Sequence, residues 1–507
     1  MSFIANPRLK RAYEALNEHR LFLVVLLAAI VVWYWIFFQA ATDFITGGAR
    51  PFRAVWNGSG SINIAGFTVN FNFEGYLDYD YYYYSWGQQF LNGFVPYTEA
   101  FNHSVINGTT YNTPYFFPPF FVYMCTIGAL LPIDPFGIGF LITLFGFLTA
   151  FPIYGISLFL SRNPKVASIA SATYLFNPVV LYHTVFEWLN PAPFVFFMIL
   201  SFYLLMRGHR VVGTLAMATS ALFKQTAFFL VLPLIAYLLR RAPVDNPEIP
   251  DANLTPPGDK LDLKGFAKIM LITLVFIFIS SIPYIFNLSN YFYYIFERPG
   301  GFLMTDFTHF PNPGQPISFA VLFMALGAPE WLIRTVNLAT YYSILLVLAI
   351  IPILALMLIQ VKDDRYLRNY WARIMFLTLL LMLCVHLFSP RGIYKYYCVA
   401  LIPFFSIQPV SQMITLKHEE TKTSFFMMLM PILLGFLILV PNRNVYLAFL
   451  FLMLIGYIAH NQFALVHDLV TGNLARTRKL KTEVDTTESG VAADNPNESR
   501  EGSTPSG

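Results

Sequence analysis

At 507 residues, 56% of them hydrophobic and only 12% charged, the chain carries far less charge than the roughly 25% of an average soluble domain, and this excludes a soluble globular protein. A net charge of +4, scattered along the sequence, excludes nucleic acid as a partner. The three cysteines, Cys125, Cys384 and Cys398, all fall inside apolar runs, so buried structural thiols are expected rather than a disulfide framework or a CxxC metal site.

The first twenty residues are basic and amphipathic, with Arg8, Lys10, Arg11 and Arg20. The apolar run 21–38 that follows is of full spanning length and lacks a small-residue cleavage site, which predicts a retained first helix and a cytoplasmic amino terminus. Residues 40–116 are much more polar and form the predicted first extracytoplasmic loop, with glycosylation sequons at Asn57 and Asn107. A loop of that length is usually functional. The apolar stretch 117–133 is broken by Pro118, Pro119 and Pro132. A full crossing there would put Arg162 outside, so a re-entrant or partial helix is expected.

Basic clusters mark the cytoplasmic loops: Arg162/Lys165, Arg207/Arg210, Arg240 to Lys268, Lys362/Arg365/Arg368, Lys417/Lys422 and Arg476 to Lys481. Between them, 166–206, 211–239, 269–360, 371–414 and 424–460 are expected to run out and back. Their outer turns fall at 187–190, near Lys224, through 288–316, at 389–395 and at 441–444. The 211–239 pair is too short for two crossings and reads as kinked or partly inserted. Residues 242–264 form a Pro/Asp-rich cytoplasmic linker, and 471–507 a disordered cytoplasmic tail. The expected fold class is all-α, a polytopic transmembrane helical bundle over 1–470 with a large extracytoplasmic first loop. Such a chain is an integral multi-pass protein of a prokaryotic cell membrane or, in a eukaryote, of the endoplasmic reticulum.

Chemistry-bearing residues concentrate at the outer turns. Asp78 and Asp80 lie two apart; in an extended segment they share a face, and two close carboxylates drive their pKa values apart, as a general base and its partner require. Tyr79, Tyr81 to Tyr84 and Trp86 offer rings suited to stacking on sugars, although an acidic loop held by interfacial aromatics would look the same. Lys224 sits within apolar helix, where a lysine costs ~2.5–3.5 kcal/mol at the bilayer centre; it either serves a function or snorkels to an interface. Arg391 and Lys395 make a basic pair at an outer helix end, fit for a phosphate or for simple anchoring. Glu187 and Asn190 face the same exterior, as acceptor ligands or helix caps, and His183 reads as a packed core histidine.

The order of these motifs resembles the GT-C superfamily of polytopic glycosyltransferases. Leu77-Asp78-Tyr79-Asp80, Leu91-Asn92-Gly93-Phe94-Val95-Pro96-Tyr97 and Tyr115-Phe116-Phe117-Pro118-Pro119-Phe120 are similar to the D-x-D, L-x-x-G-x-x-P-Y and Y-x-x-P-P/L-L series of GPI mannosyltransferases. Phe176-Asn177-Pro178, Lys224-Gln225, Leu232-Pro233 and the run from Lys395-Tyr396-Tyr397 to Leu401-Ile402-Pro403 follow in family order. The resemblance implies an inverting transfer of a hexose, mannose first, from a polyprenyl- or dolichyl-phosphate donor to a glycan or glycolipid acceptor on the extracytoplasmic face. Asp78 would be the general base, and Asp80 its partner or the ligand of a divalent cation, Mg or Mn. Arg391, Lys395 and Lys224 would neutralise the leaving phosphate, while Tyr82, Trp86, Glu187 and Asn190 would hold sugar and acceptor. Two other expectations stand beside this one: a transporter or flippase of lipid-linked sugars, and a non-catalytic subunit of a glycan-assembly complex, which would tolerate Asp78→Asn.

Overall fold

A computed structural model describes residues 14, 16–46, 59–64, 67–72, 78–239, 261–297, 301–311, 315–363, 367–407, 432–435 and 443–470. The basic stretch 8–11, the Asn57 sequon, residues 242–260 of the linker, the Lys417/Lys422 cluster, the outer turn at 441–442 and the tail 471–507 lie outside the described residues. So does the side chain of Asp80, although its backbone is described. The chain divides into two units, Met1–Leu450 and Phe451–Gly507. The described part of the second is the carboxy-terminal run of the helix Arg443–Val470.

The protein is an all-α, multi-pass integral membrane protein. Among the described residues, Arg20–Ile45, Gly137–Ser161, Leu263–Glu297 and Tyr370–Phe388 are long and apolar enough to cross a bilayer. A bent pair, Glu330–Tyr341 with Ile344–Leu358, raises four such crossings to five if counted as one span. The first helix shows why a wholly apolar sequence folds this way: Ala29, Trp33 and Ala40 face the bundle, while Leu27, Val31, Tyr34 and Trp35 stay exposed, as hydrocarbon allows. Trp33 donates its indole N–H to the Leu175 carbonyl at 2.8 Å, tying this helix to Pro164–Leu175. That partner helix begins as its sequence dictates. Asn163 accepts from the Lys165 and Val166 amides, and Pro164 occupies the first turn, where a missing N–H costs nothing.

The proline-broken stretch becomes the helix Pro119–Leu130. Its 12 residues reach only ~18 Å at 1.5 Å per residue, short of the ~30 Å of hydrocarbon. It packs closely against Gly137–Leu148 because Gly128 and Gly137 meet without β-carbons; one added at Gly137 would overlap the Gly128 carbonyl. The 211–239 segment forms Arg210–Phe223 and Val231–Leu238, joined by a 3-10 turn over Gln225–Leu230. Lys224 is the break, extended at φ −152° and ψ 135°.

The predicted first loop is folded rather than irregular. It holds two antiparallel hairpins, Ser59–Ile64 with Phe67–Asn72 and Ser104–Ile106 with Thr109–Tyr111, and a helical run of Tyr79–Tyr83 and Tyr84–Leu91. The helical backbone at Asp78 and Asp80 corrects the extended-segment expectation, because residues two apart in a helix point to different faces.

Candidate functional site

Four outer segments converge: the helical start at Asp78, the turn at Glu187–Asn190, the break at Lys224, and the loop from Arg391 into the 3-10 turn Lys395–Ala400. Their polar groups form a chain. Lys224 Nζ donates to Asn190 Oδ1 at 2.6 Å, Asn190 Nδ2 donates to the Tyr83 hydroxyl at 2.7 Å, and Tyr83 in turn points its hydroxyl at Asp78 Oδ2 from 3.4 Å. Tyr396 reaches the same carboxylate oxygen, also from 3.4 Å. The Lys224 ammonium lies 4.2 Å from the Tyr397 ring centroid and 5.4 Å from those of Tyr396 and Phe194, within the range of cation–π attraction. Lys224 and Asn190 are buried, so a partner for every charge is a requirement.

Burial raises the Asp78 carboxyl above its ordinary range, and Lys224, the Tyr396 hydroxyl, Arg391 and the Tyr83 hydroxyl oppose that rise in this order. Burial, and after it the charge of Asp78, pushes Tyr83 well above the usual phenol range. Tyr83 therefore stays a hydroxyl and a donor. Arg391 is half-buried and makes no hydrogen bond or ion pair with the described residues, though its charge is felt at Asp78. Gly392, at φ +74°, shapes its loop: a β-carbon there would overlap the Ile317 carbonyl, and Ile317 pairs with Ile393.

Sequence reasoning placed these residues at one water boundary, and the structure brings Asp78, Asn190, Lys224 and Arg391 together. Lys395 is buried in the adjacent turn, where its charge reaches Cys398. Glu187 lies 2.7 Å from His183 Nδ1, and both are buried. Trp86 is fully buried, its indole N–H given to the Thr113 carbonyl at 3.1 Å and its ring packed against Tyr83, Tyr115 and Phe117; it has no free face for a sugar. Tyr82 is half-buried, its ring centroid 5.2 Å from that of Trp86. The cation reading of Asp80 falls on a side chain outside the described residues. Elsewhere among the described residues, no group of three His, Cys, Asp or Glu could hold a metal ion. The three cysteines are buried and unpaired. Tyr83, expected as one ring of a stacking platform, and Tyr396 and Tyr397, expected only as part of a motif run, turn toward Asp78 and Lys224 instead; a Tyr-rich composition alone cannot say which tyrosines turn inward.

Residues 102–315, less than half of the chain, match the family model described as GPI transamidase subunit PIG-U. No curated protein matches the chain. The family match corrects the glycosyltransferase expectation. It points to a subunit of a transamidase, not to a GT-C hexosyltransferase, and it removes the polyprenyl- or dolichyl-phosphate sugar as donor and partner. The physical reason is plain: an acid near basic residues over apolar helices is a charge pattern that does not distinguish a sugar transferase from a non-catalytic membrane subunit.

Proposed function

We propose that this chain is a non-catalytic membrane subunit of a complex of the GPI transamidase kind, one that holds an anionic glycolipid at its extracytoplasmic surface. The observation that carries this reading is the family match, because its range contains Glu187, Asn190, Lys224 and the turn that presents them. The chemistry of the site supports it. The Lys224 ammonium is already engaged by Asn190 and by aromatic rings, and the half-buried Asp78 faces two tyrosine hydroxyls, so these groups hold the site in shape. Arg391 is offered to a ligand; a guanidinium of this kind takes a phosphate through two parallel N–H bonds.

The test is a lipid and surface-protein profile of cells lacking the chain. A subunit of this kind leaves a complete glycosylphosphatidylinositol-type lipid accumulating while anchored proteins disappear. A lipid one hexose short would overturn the reading. Arg391→Ala should weaken retention of that lipid by the purified complex while subunit association persists.

A further inference from the structure

The 12-residue helix Glu330–Tyr341 takes no part in the site, yet it is strongly two-sided. Ile333, Asn337 and Thr340 face inward, and Asn337 Nδ2 donates to the Met304 carbonyl at 2.7 Å. The opposite stripe carries Trp331, Arg334, Leu338 and, beyond the helix end, Tyr342. Trp331 and Tyr342 are each 67% exposed and Leu338 is 47% exposed. Arg334 Nε donates to Glu330 Oε1 at 2.8 Å, and its guanidinium lies over the Phe307 ring at 4.8 Å, so the one charged pair on this stripe is satisfied within the chain.

Two observations bear on where this helix sits. First, the chain bends by 60° between it and the following helix, with Ser343 at φ +60°. That following helix, Ile344–Asp363, ends in Lys362 and Asp363; its uncharged run over 344–361 gives ~27 Å at 1.5 Å per residue, close to the hydrocarbon thickness of ~30 Å. Little depth remains for Glu330–Tyr341 to fill. Second, the segment at 301–302 bridges its carboxyl end to the Arg391 loop. Gly301 lies so close to the Tyr341 ring that a β-carbon would overlap it, and the neighbouring Phe302 amide donates to the Pro390 carbonyl.

We propose that Glu330–Tyr341 lies in the plane of the membrane at headgroup level, on the same side as Arg391, with Trp331, Leu338 and Tyr342 turned to the lipid. Aromatic residues favour that level because one part of the ring system is apolar and another is polar. Short two-sided helices bind there through the area of their apolar stripe. The paired Glu330 and Arg334 are tolerated at the interface and would be costly in hydrocarbon. The helix thus forms a shelf beside the Arg391 loop, continuous with a crossing helix. This inference rests on the bend and the crossing length and not on the function proposed above.

The test places a nitroxide label at Leu338→Cys and, separately, at Trp331→Cys in the full chain reconstituted in phosphatidylcholine nanodiscs; Cys125, Cys384 and Cys398 are buried and take up little label. Asp306→Cys, on an exposed loop, is the water reference. The expected result is relaxation by oxygen together with a several-fold lower relaxation by a water-soluble nickel chelate than at Asp306, at a depth just beneath the phosphates. Nickel access equal to that at Asp306 would place the helix in water and overturn the proposal. A depth at the bilayer centre would make it half of a broken span, and exclusion of both reagents would mean a protein partner covers it; either result also overturns the proposal. Unchanged thermal unfolding of the labelled variants confirms that the readings come from folded protein.

Discussion

Two tyrosine-rich clusters join the first loop to later helix ends, and they differ in one respect, the presence of charge. In the first, Tyr83 and Tyr396 aim their hydroxyls at the half-buried Asp78, and Lys224 sits among Tyr396, Tyr397 and Asn190. In the second, Tyr97 packs against Tyr115, Tyr284 and Tyr291 at centroid distances of 5.0–5.3 Å. There the Tyr97 hydroxyl donates to the Phe117 carbonyl and the Tyr115 hydroxyl to the Pro118 carbonyl, each at 2.6 Å. The same residue type therefore serves two purposes. Neutral hydroxyls that meet backbone carbonyls close a packed wall, whereas hydroxyls that meet a carboxylate supply partners to a half-buried acid near a buried lysine.

That contrast can be broken by substitution. The largest effect is expected at Lys224: Lys224→Met keeps the length of the side chain but removes the cation, leaving Asp78 without its strongest charge partner. It also removes the ammonium from its hydrogen bond with Asn190 and from the rings of Tyr397, Tyr396 and Phe194; the charged hydrogen bond is worth about 1.5–3 kcal/mol and the desolvated cation–π contact about 2 kcal/mol more, read as a lower unfolding midpoint in detergent. Asn190→Ala comes next, since it strands both Lys224 and Tyr83; a hydrogen bond to a charged group is worth about 1.5–3 kcal/mol. In the neutral cluster, Tyr97→Phe should cost only about 1 kcal/mol, the ordinary net value of one hydrogen bond. Equal losses for Lys224→Met and Tyr97→Phe would erase the distinction between the clusters.

The pH response sharpens the same comparison. The folded pKa of Asp78 lies above its ordinary value of 3.8, so the protonated acid is favoured on folding. This contribution to stability is fully present below pH 3.8 and is lost as the pH rises through the shifted folded value. Asp78→Asn should flatten that decline in a pH series of unfolding midpoints, and Tyr97→Phe should leave it in place.

The all-α, multi-pass class was legible from composition, because hydrocarbon thickness constrains a membrane chain strongly. The break at Lys224 was legible too: a lysine inside an apolar run needs partners, and the chain opens there to provide them. The shape of the first loop was not, since a polar composition hides both the hairpins and the helical turn that separates the backbone directions of Asp78 and Asp80. Within the site, Asp78, Asn190, Lys224 and Arg391 could be named from residue type and position relative to the membrane. The roles of Tyr396 and Tyr397 could not, because Tyr396 meets Asp78 from more than 300 residues away in sequence and the Tyr397 ring meets the distant Lys224. Trp86 shows the converse error: its large ring suggested a sugar platform, and the fold uses that ring as core. The transferase expectation failed for a related reason, as an acid, a lysine and an arginine near a bilayer form a charge pattern that does not by itself specify a reaction.

The most direct test of the central claim, that this charged cluster holds shape and ligand without performing chemistry, is complementation by Asp78→Asn in cells lacking the chain. With the variant confirmed in the membrane and bound to its partner subunits, surface levels of lipid-anchored proteins should return close to those given by the unaltered chain. Levels as low as in the deletion, from a variant that folds and assembles, would contradict the account.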